Sequence, residues 1–170
     1  DHRDLHSFPT RRSSDLQGWD VGTLPNGTTS GPRAWPSGQQ GAGIVLDGDY
    51  AAESLAYLTS PSYSLPDNSS ARLSFRSWVC TETDWDGGAV QISVDDGATW
   101  WYPPYDSHTH HTLSRMNPYS PFYDEGIFDG SIHSGGCPTR SQTFDAETID
   151  VSNLSGQEVR FRYVFFSDTW

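Results

Sequence analysis

The chain has 170 residues, with ten Arg, no Lys and twenty-two Asp plus Glu, for a net charge of −12. Such a surface repels phosphate backbones and anionic headgroups, which argues against nucleic acid and membrane surfaces as partners. No run approaches the roughly 18 consecutive apolar residues of a membrane span.

The first segment, Asp1 to Leu16 (DHRDLHSFPTRRSSDL), has no apolar periodicity and no signal-peptide anatomy. It back-translates codon by codon into a sequence that resembles a widely used short-read library adapter over its whole length. Foreign segments are set aside from fold reasoning. Residues 1–16 are therefore expected to be non-native, and 17–170 to be one β-sandwich module read from environmental DNA. Removing three Arg and three Asp leaves seven Arg against nineteen acidic residues, so the charge is unchanged. The end at Trp170, directly after an apolar run, predicts that the module is incomplete at its C-terminus.

Helical periodicity is nearly absent. Short strand candidates are Gly43 to Leu46 and Ala56 to Thr59. Arg72 to Cys80 alternates, with Leu73, Phe75 and Val79 on one face and Arg72, Ser74 and Arg76 on the other. Ala89 to Val94 places Val90, Ile92 and Val94 together. Pro103 to Thr143 is rich in Tyr, Pro, His, Ser and Gly and reads as a long loop insertion, a length that usually marks function or disorder. Thr148 to Val151 follows. The clearest strand is Glu158 to Phe166, with Val159, Phe161, Tyr163 and Phe165 facing one way and Arg160 and Arg162 the other. Gly, Pro, Asn, Asp and Ser clusters separate these runs. The pattern predicts an all-β antiparallel sandwich.

The most regular motif runs from Ser93 to Trp100 and fits the Asp-box pattern S-x-D-x-G-x-T-W. Ser93, Asp95, Gly97, Thr99 and Trp100 are expected to build a structural hairpin turn. In it Asp95 accepts from backbone N–H groups, Gly97 supplies the permissive dihedral and Trp100 packs over the turn. Sialidases repeat this motif, and here it occurs once. Glu82, Asp84 and Asp86 fall within one acidic turn, and Asp168 joins them if the ends of the sandwich adjoin. Hard oxygen donors of this kind suit a structural Ca²⁺, and a solvated turn is the alternative. Trp101, Tyr102 and Tyr105, at the start of the insertion, are candidates for an aromatic platform that stacks on a glycan or protein ligand. Cys80 and Cys137 allow a single intramolecular disulfide in an oxidising compartment, and free thiols stay open. His108, His110, His111 and His133 lack a general base and a third ligand at recognisable spacing, so they read as loop residues. Asn26, Asn68 and Asn153 begin N-glycosylation triplets. Neither H-E-x-x-H nor G-x-S-x-G is present, and no catalytic residue is assigned.

The order of Tyr57 to Pro61, the strand ending in Trp78, Asp86-Gly87-Gly88, VQISVDDGATW, Asp150-Val151-Ser152 and Gly156 to Arg162 resembles the MAM-like jelly-roll modules. These occur in secreted bacterial proteins such as immune-inhibitor-A-like metallopeptidases. The resemblance implies a jelly-roll fold, an extracellular setting and adjoining domains in a larger parent. It also implies that a structural Ca²⁺ is common. The expected function is a non-catalytic accessory module of adhesion type, with a glycan or protein ligand. A glycoside-active β-sandwich enzyme or a structural spacer are the alternatives.

Overall fold

The computed structural model describes residues 16–24, 32, 34–68, 70–104, 113–114, 127–129 and 144–169. Among these residues the fold is all-β with antiparallel pairing throughout. The strands are β1 (Leu16–Gln17), β2 (Asp20–Gly22), β3 (Gly41–Gly43), β4 (Leu55–Thr59), β5 (Tyr63–Ser64) and β6 (Arg72–Ser77), followed by β7 (Gly87–Ser93), β8 (Leu113–Ser114), β9 (Ile127–Asp129), β10 (Asp145–Asp150) and β11 (Glu158–Phe166). One 3-10 turn, Ser152–Leu154, links the last two.

The main sheet has the order β1-β4-β11-β7-β9-β8, with β5 pairing the start of β11. A second layer, β6 and β10, packs on its inner face, and β2 and β3 form a separate ribbon. The inner core follows the alternation of β7 and β11. Val90, Ile92, Val159 and Phe161 are buried, together with Phe128 of β9 and Ile149 of β10. Phe75 of β6 fastens the layers, meeting Tyr163 edge-on at 5.0 Å and Phe128 at 6.0 Å. Edge-to-face pairs add to the area that each ring buries.

Four details depart from the sequence reading. Val94 is 40% exposed, because β7 ends at Ser93 and the chain has already turned. The ribbon strand β3 lies before Gly43 rather than after it. The long insertion supplies β8 and β9, and Ile127 and Phe128 are buried there although two or three residues are too few to show a period. Pairing also begins at Leu16, the last residue of the adapter-like segment, opposite Leu58.

Both faces of β11 carry buried residues. Val164, Ala89 and Ile127 form a smaller cluster on the outer face, flanked by Tyr57, Tyr102 and Phe166. That cluster covers one end of the outer face and leaves the other end, around Arg160 and Arg162, as a groove.

Candidate functional site

The groove is open, about 340 Å³ in volume, and lined by Gln17, Tyr57, Thr59, Asp96, Gly97, Trp100, Arg160 and Arg162. Register explains the lining. Directly opposed residues on antiparallel strands share a face. Arg162 stands opposite Thr59 on one side and Gln91 on the other, Gln17 opposite Tyr57, and Arg160 opposite Ser93.

Arg162 is the centre. Its guanidinium carbon lies 4.6 Å from the Tyr57 ring centroid and 4.4 Å from that of Trp100, within cation–π range of both. Its Nε donates to Oε1 of the buried Gln91 at 2.5 Å. Burial pulls the Arg162 pKa below the ordinary arginine value, while the Tyr57 and Tyr102 phenols act the other way. The group starts so high that it stays a cation. Arg160 forms an ion pair through Nε with Asp96 Oδ1 at 2.7 Å, without the alignment of a true hydrogen bond.

The turn from Ser93 to Trp100 builds one wall. Ser93 Oγ donates to Asp95 Oδ1 at 2.7 Å and accepts from the Gly97 N–H at 2.8 Å. Thr99 donates twice to Asp95, from its backbone N–H at 2.9 Å and its hydroxyl at 2.6 Å. These bonds, led by the Thr99 hydroxyl, lower the Asp95 pKa to about 2. Gly97 has φ +91°, and a Cβ there would sit 3.3 Å from Trp100 Cζ2, so Trp100 lies against the turn. The same turn that locks itself through Asp95 thus presents Asp96 to Arg160 and Trp100 to Arg162.

Of the residues expected to form an aromatic platform, Trp101 and Tyr102 lie among the described residues. Trp101 pairs with Ile92 in both directions, at 2.8 and 3.0 Å, and packs against the inner core. Tyr102 packs on the outer cluster of Ala89, Ile127 and Val164. The groove's aromatic rings are instead Trp100 and Tyr57. The available signal was the pair Arg160 and Arg162 on the polar face of the most regular strand, but nothing local announced that Tyr57 would meet them. Tyr105, Cys137, His108, His110, His111 and His133 lie outside the described residues. Cys80 is disulfide-bonded.

The acidic turn is built around Asp86, which is 1% exposed. Its Oδ2 accepts from the Tyr50 hydroxyl at 2.7 Å and its Oδ1 from the Asp168 backbone N–H at 2.8 Å. Burial, then the bond to Asp86, raises the Tyr50 pKa. Ser167 extends this junction, its hydroxyl accepting from the Ser54 N–H and donating to the Ala51 carbonyl. Glu82 and Asp84 remain exposed. Of the residues expected to form a Ca²⁺ shell, Glu82, Asp84, Asp86 and Asp168, the structure buries Asp86 at the junction with the Asp168 backbone and leaves Glu82 and Asp84 at the surface. Among the described residues no three His, Cys, Asp or Glu side chains gather to hold a metal ion, and both Asp86 oxygens already have donors. What joins Asp86 to Asp168 is a backbone N–H, not a second carboxylate.

Among the described residues no helix is long and apolar enough to cross a membrane. No family model matches the chain, and no solved structure matches it. A curated relative, bacillopeptidase F of Bacillus subtilis (strain 168), is 24% identical over 140 residues, which is 82% of this chain but 8% of the relative. The chain is similar to a small part of a much longer peptidase.

Proposed function

We propose that this chain is a non-catalytic, ligand-binding jelly-roll module of a larger secreted or cell-surface bacterial protein, a peptidase like the relative. The observation that carries the reading is the Arg162 clamp, a cation fixed between two rings and a buried amide at the centre of an open groove. Fixed side chains on a sheet face offer recognition, because little conformational entropy is lost when a ligand arrives. The match to 8% of a peptidase supports a position beside other domains. The bonded state of Cys80 supports an oxidising compartment, with Cys137, the only other cysteine of the sequence, as the proposed partner.

The test is deletion of the module from the full-length parent. Turnover of a small soluble substrate should be kept, while retention on the cell envelope or on a polymeric substrate should fall. Loss of soluble-substrate turnover by a parent whose other domains remain folded would overturn the non-catalytic reading.

A further inference from the structure

The groove carries more information than its existence. In a chain of net charge −12, two arginines project side by side from β11 into one outer-face depression. Residues two apart on a strand sit roughly 6.5–7 Å apart on one face. Their situations differ. Arg160 is neutralised by Asp96. Arg162 has Gln91 on its Nε and rings on its faces, and no carboxylate among the described residues faces its two terminal nitrogens. A guanidinium held this way presents a planar fork of N–H donors, which matches a carboxylate bidentately and does so better than an ammonium would.

We propose that the groove binds a carboxylate-bearing sugar, of uronic-acid type, with the acid group seated on the terminal nitrogens of Arg162. This rests on the binding-module reading and names its ligand class. Gln17 and Thr59 line the same groove and offer amide and hydroxyl groups suited to sugar hydroxyls. A peptide fits less well. Peptides that bind sheets do so along an edge, where free backbone groups extend the ladder. The centre of this groove lies over β4 and β11, each paired on both sides, so their backbone groups are already used. Only side chains are on offer, and a sugar supplies a hydroxyl for each. Asp96, whose side chain is 79% exposed, acts as a restraint on affinity because it holds the second cation.

The experiment uses the full 170-residue chain, with tri-galacturonate as probe, its methyl ester as the uncharged control and a Glu-rich hexapeptide as the competing class. Binding is followed by calorimetry and by Trp fluorescence. The acid should bind at least about tenfold more tightly than its ester, the scale of a charge-assisted hydrogen-bond pair. Arg162→Gln should remove that preference. Asp96→Asn should strengthen binding severalfold by releasing Arg160, at an exposed position where folding is little affected. That gain keeps the proposal testable if Arg162→Gln fails to fold. Equal binding of acid and ester, no binding of either, or tighter binding of the peptide would each overturn it. Should the acid fail while the envelope-retention test succeeds, the module reading stands and only the ligand class falls.

Discussion

Strands β7 and β11 place two different environments on opposite sides of one backbone ladder. Inward, Ile92 and Phe161 stand opposite each other at 1% and 4% exposure, and their side chains are held by packing. Outward, one residue along, Gln91 and Arg162 stand opposite each other and are held by a hydrogen bond and two ring contacts. The backbone geometry is the same on both sides. The inner face is fixed by volume, and the outer by direction. The inner face should therefore govern stability and tolerate little change of size, whereas the outer face should govern recognition and tolerate little change of chemistry.

The largest effect expected is on the inner face. Phe161→Ala should destabilise by about 3–5 kcal/mol in denaturant unfolding, the range for a buried Phe that leaves a cavity. Arg162→Gln on the outer face should cost about 1–2 kcal/mol, the sum of one charged hydrogen bond and partly exposed stacking. Similar losses for the two variants would erase the distinction and make Arg162 a structural residue.

Next comes a buried carboxylate, Asp86, at the junction of the acidic turn. Asp86→Ala removes the acceptor for the Tyr50 hydroxyl and for the Asp168 N–H, leaving both short of a partner. Unsatisfied buried groups cost about 1–3 kcal/mol each, so a loss of about 2–4 kcal/mol is expected by the same unfolding assay. Asp86→Asn should cost about 1 kcal/mol, because its amide oxygen still accepts from Asp168 and the Tyr50 hydroxyl can rotate. A loss with Asn as large as with Ala would mean that the charge, rather than the hydrogen bonding, holds the junction.

The inner face was legible in the sequence and the outer face was not, for a physical reason. Val159, Phe161 and Phe165 repeat with period two over nine residues, which suffices to define a face. Val164 is buried on the other side, because residues from β4 and the insertion cover it, and such cover leaves no trace in the strand's own pattern. The alternation of β11 puts Arg162 on the outward face, but its ring partners come from β4 and from the turn after β7. Trp100 and Trp101 are adjacent and aromatic, yet one serves the groove and the other the core. Only the register, with Trp101 pairing back on Ile92, decides between them. Local hydrogen bonding in the turn was predictable because all of its partners lie within a few residues.

A smaller effect separates the wall of the groove from its floor. The pKa of Asp95 is lowered from 3.8 to about 2 on folding. A group with a depressed folded pKa contributes stability above its unfolded value and loses it as pH falls through the folded one. The melting temperature should thus decline between about pH 4 and pH 2, and Asp95→Asn should flatten that decline. Because Asp95 is exposed, the change should be modest and salt-sensitive. Trp100 fluorescence should shift over the same window as the turn loosens, while the inner core stays packed. An unchanged pH profile in Asp95→Asn would assign acid sensitivity to other carboxylates.

The smallest effect expected is that of Ca²⁺, and the reason lies in how Asp86 is satisfied. A Ca²⁺ ion takes six to eight oxygen ligands at about 2.3–2.6 Å and competes with any donor already seated on them. Here one oxygen of Asp86 would have to release a phenolic hydroxyl and the other a backbone N–H, at a site that is 1% exposed. Glu82 and Asp84 are exposed on the same turn and would have to converge on Asp86, against their mutual repulsion, before the ion arrived. A ligand that binds only the native state at a hundred times its dissociation constant stabilises by about 2.7 kcal/mol, an effect calorimetry cannot miss. Millimolar Ca²⁺ should leave the melting temperature where it was, and a chelator should do the same. A rise that chelator reverses and Asp86→Asn abolishes would show that Tyr50 and Asp168 yield their bonds to the ion, and the junction would then be a metal site in the folded protein.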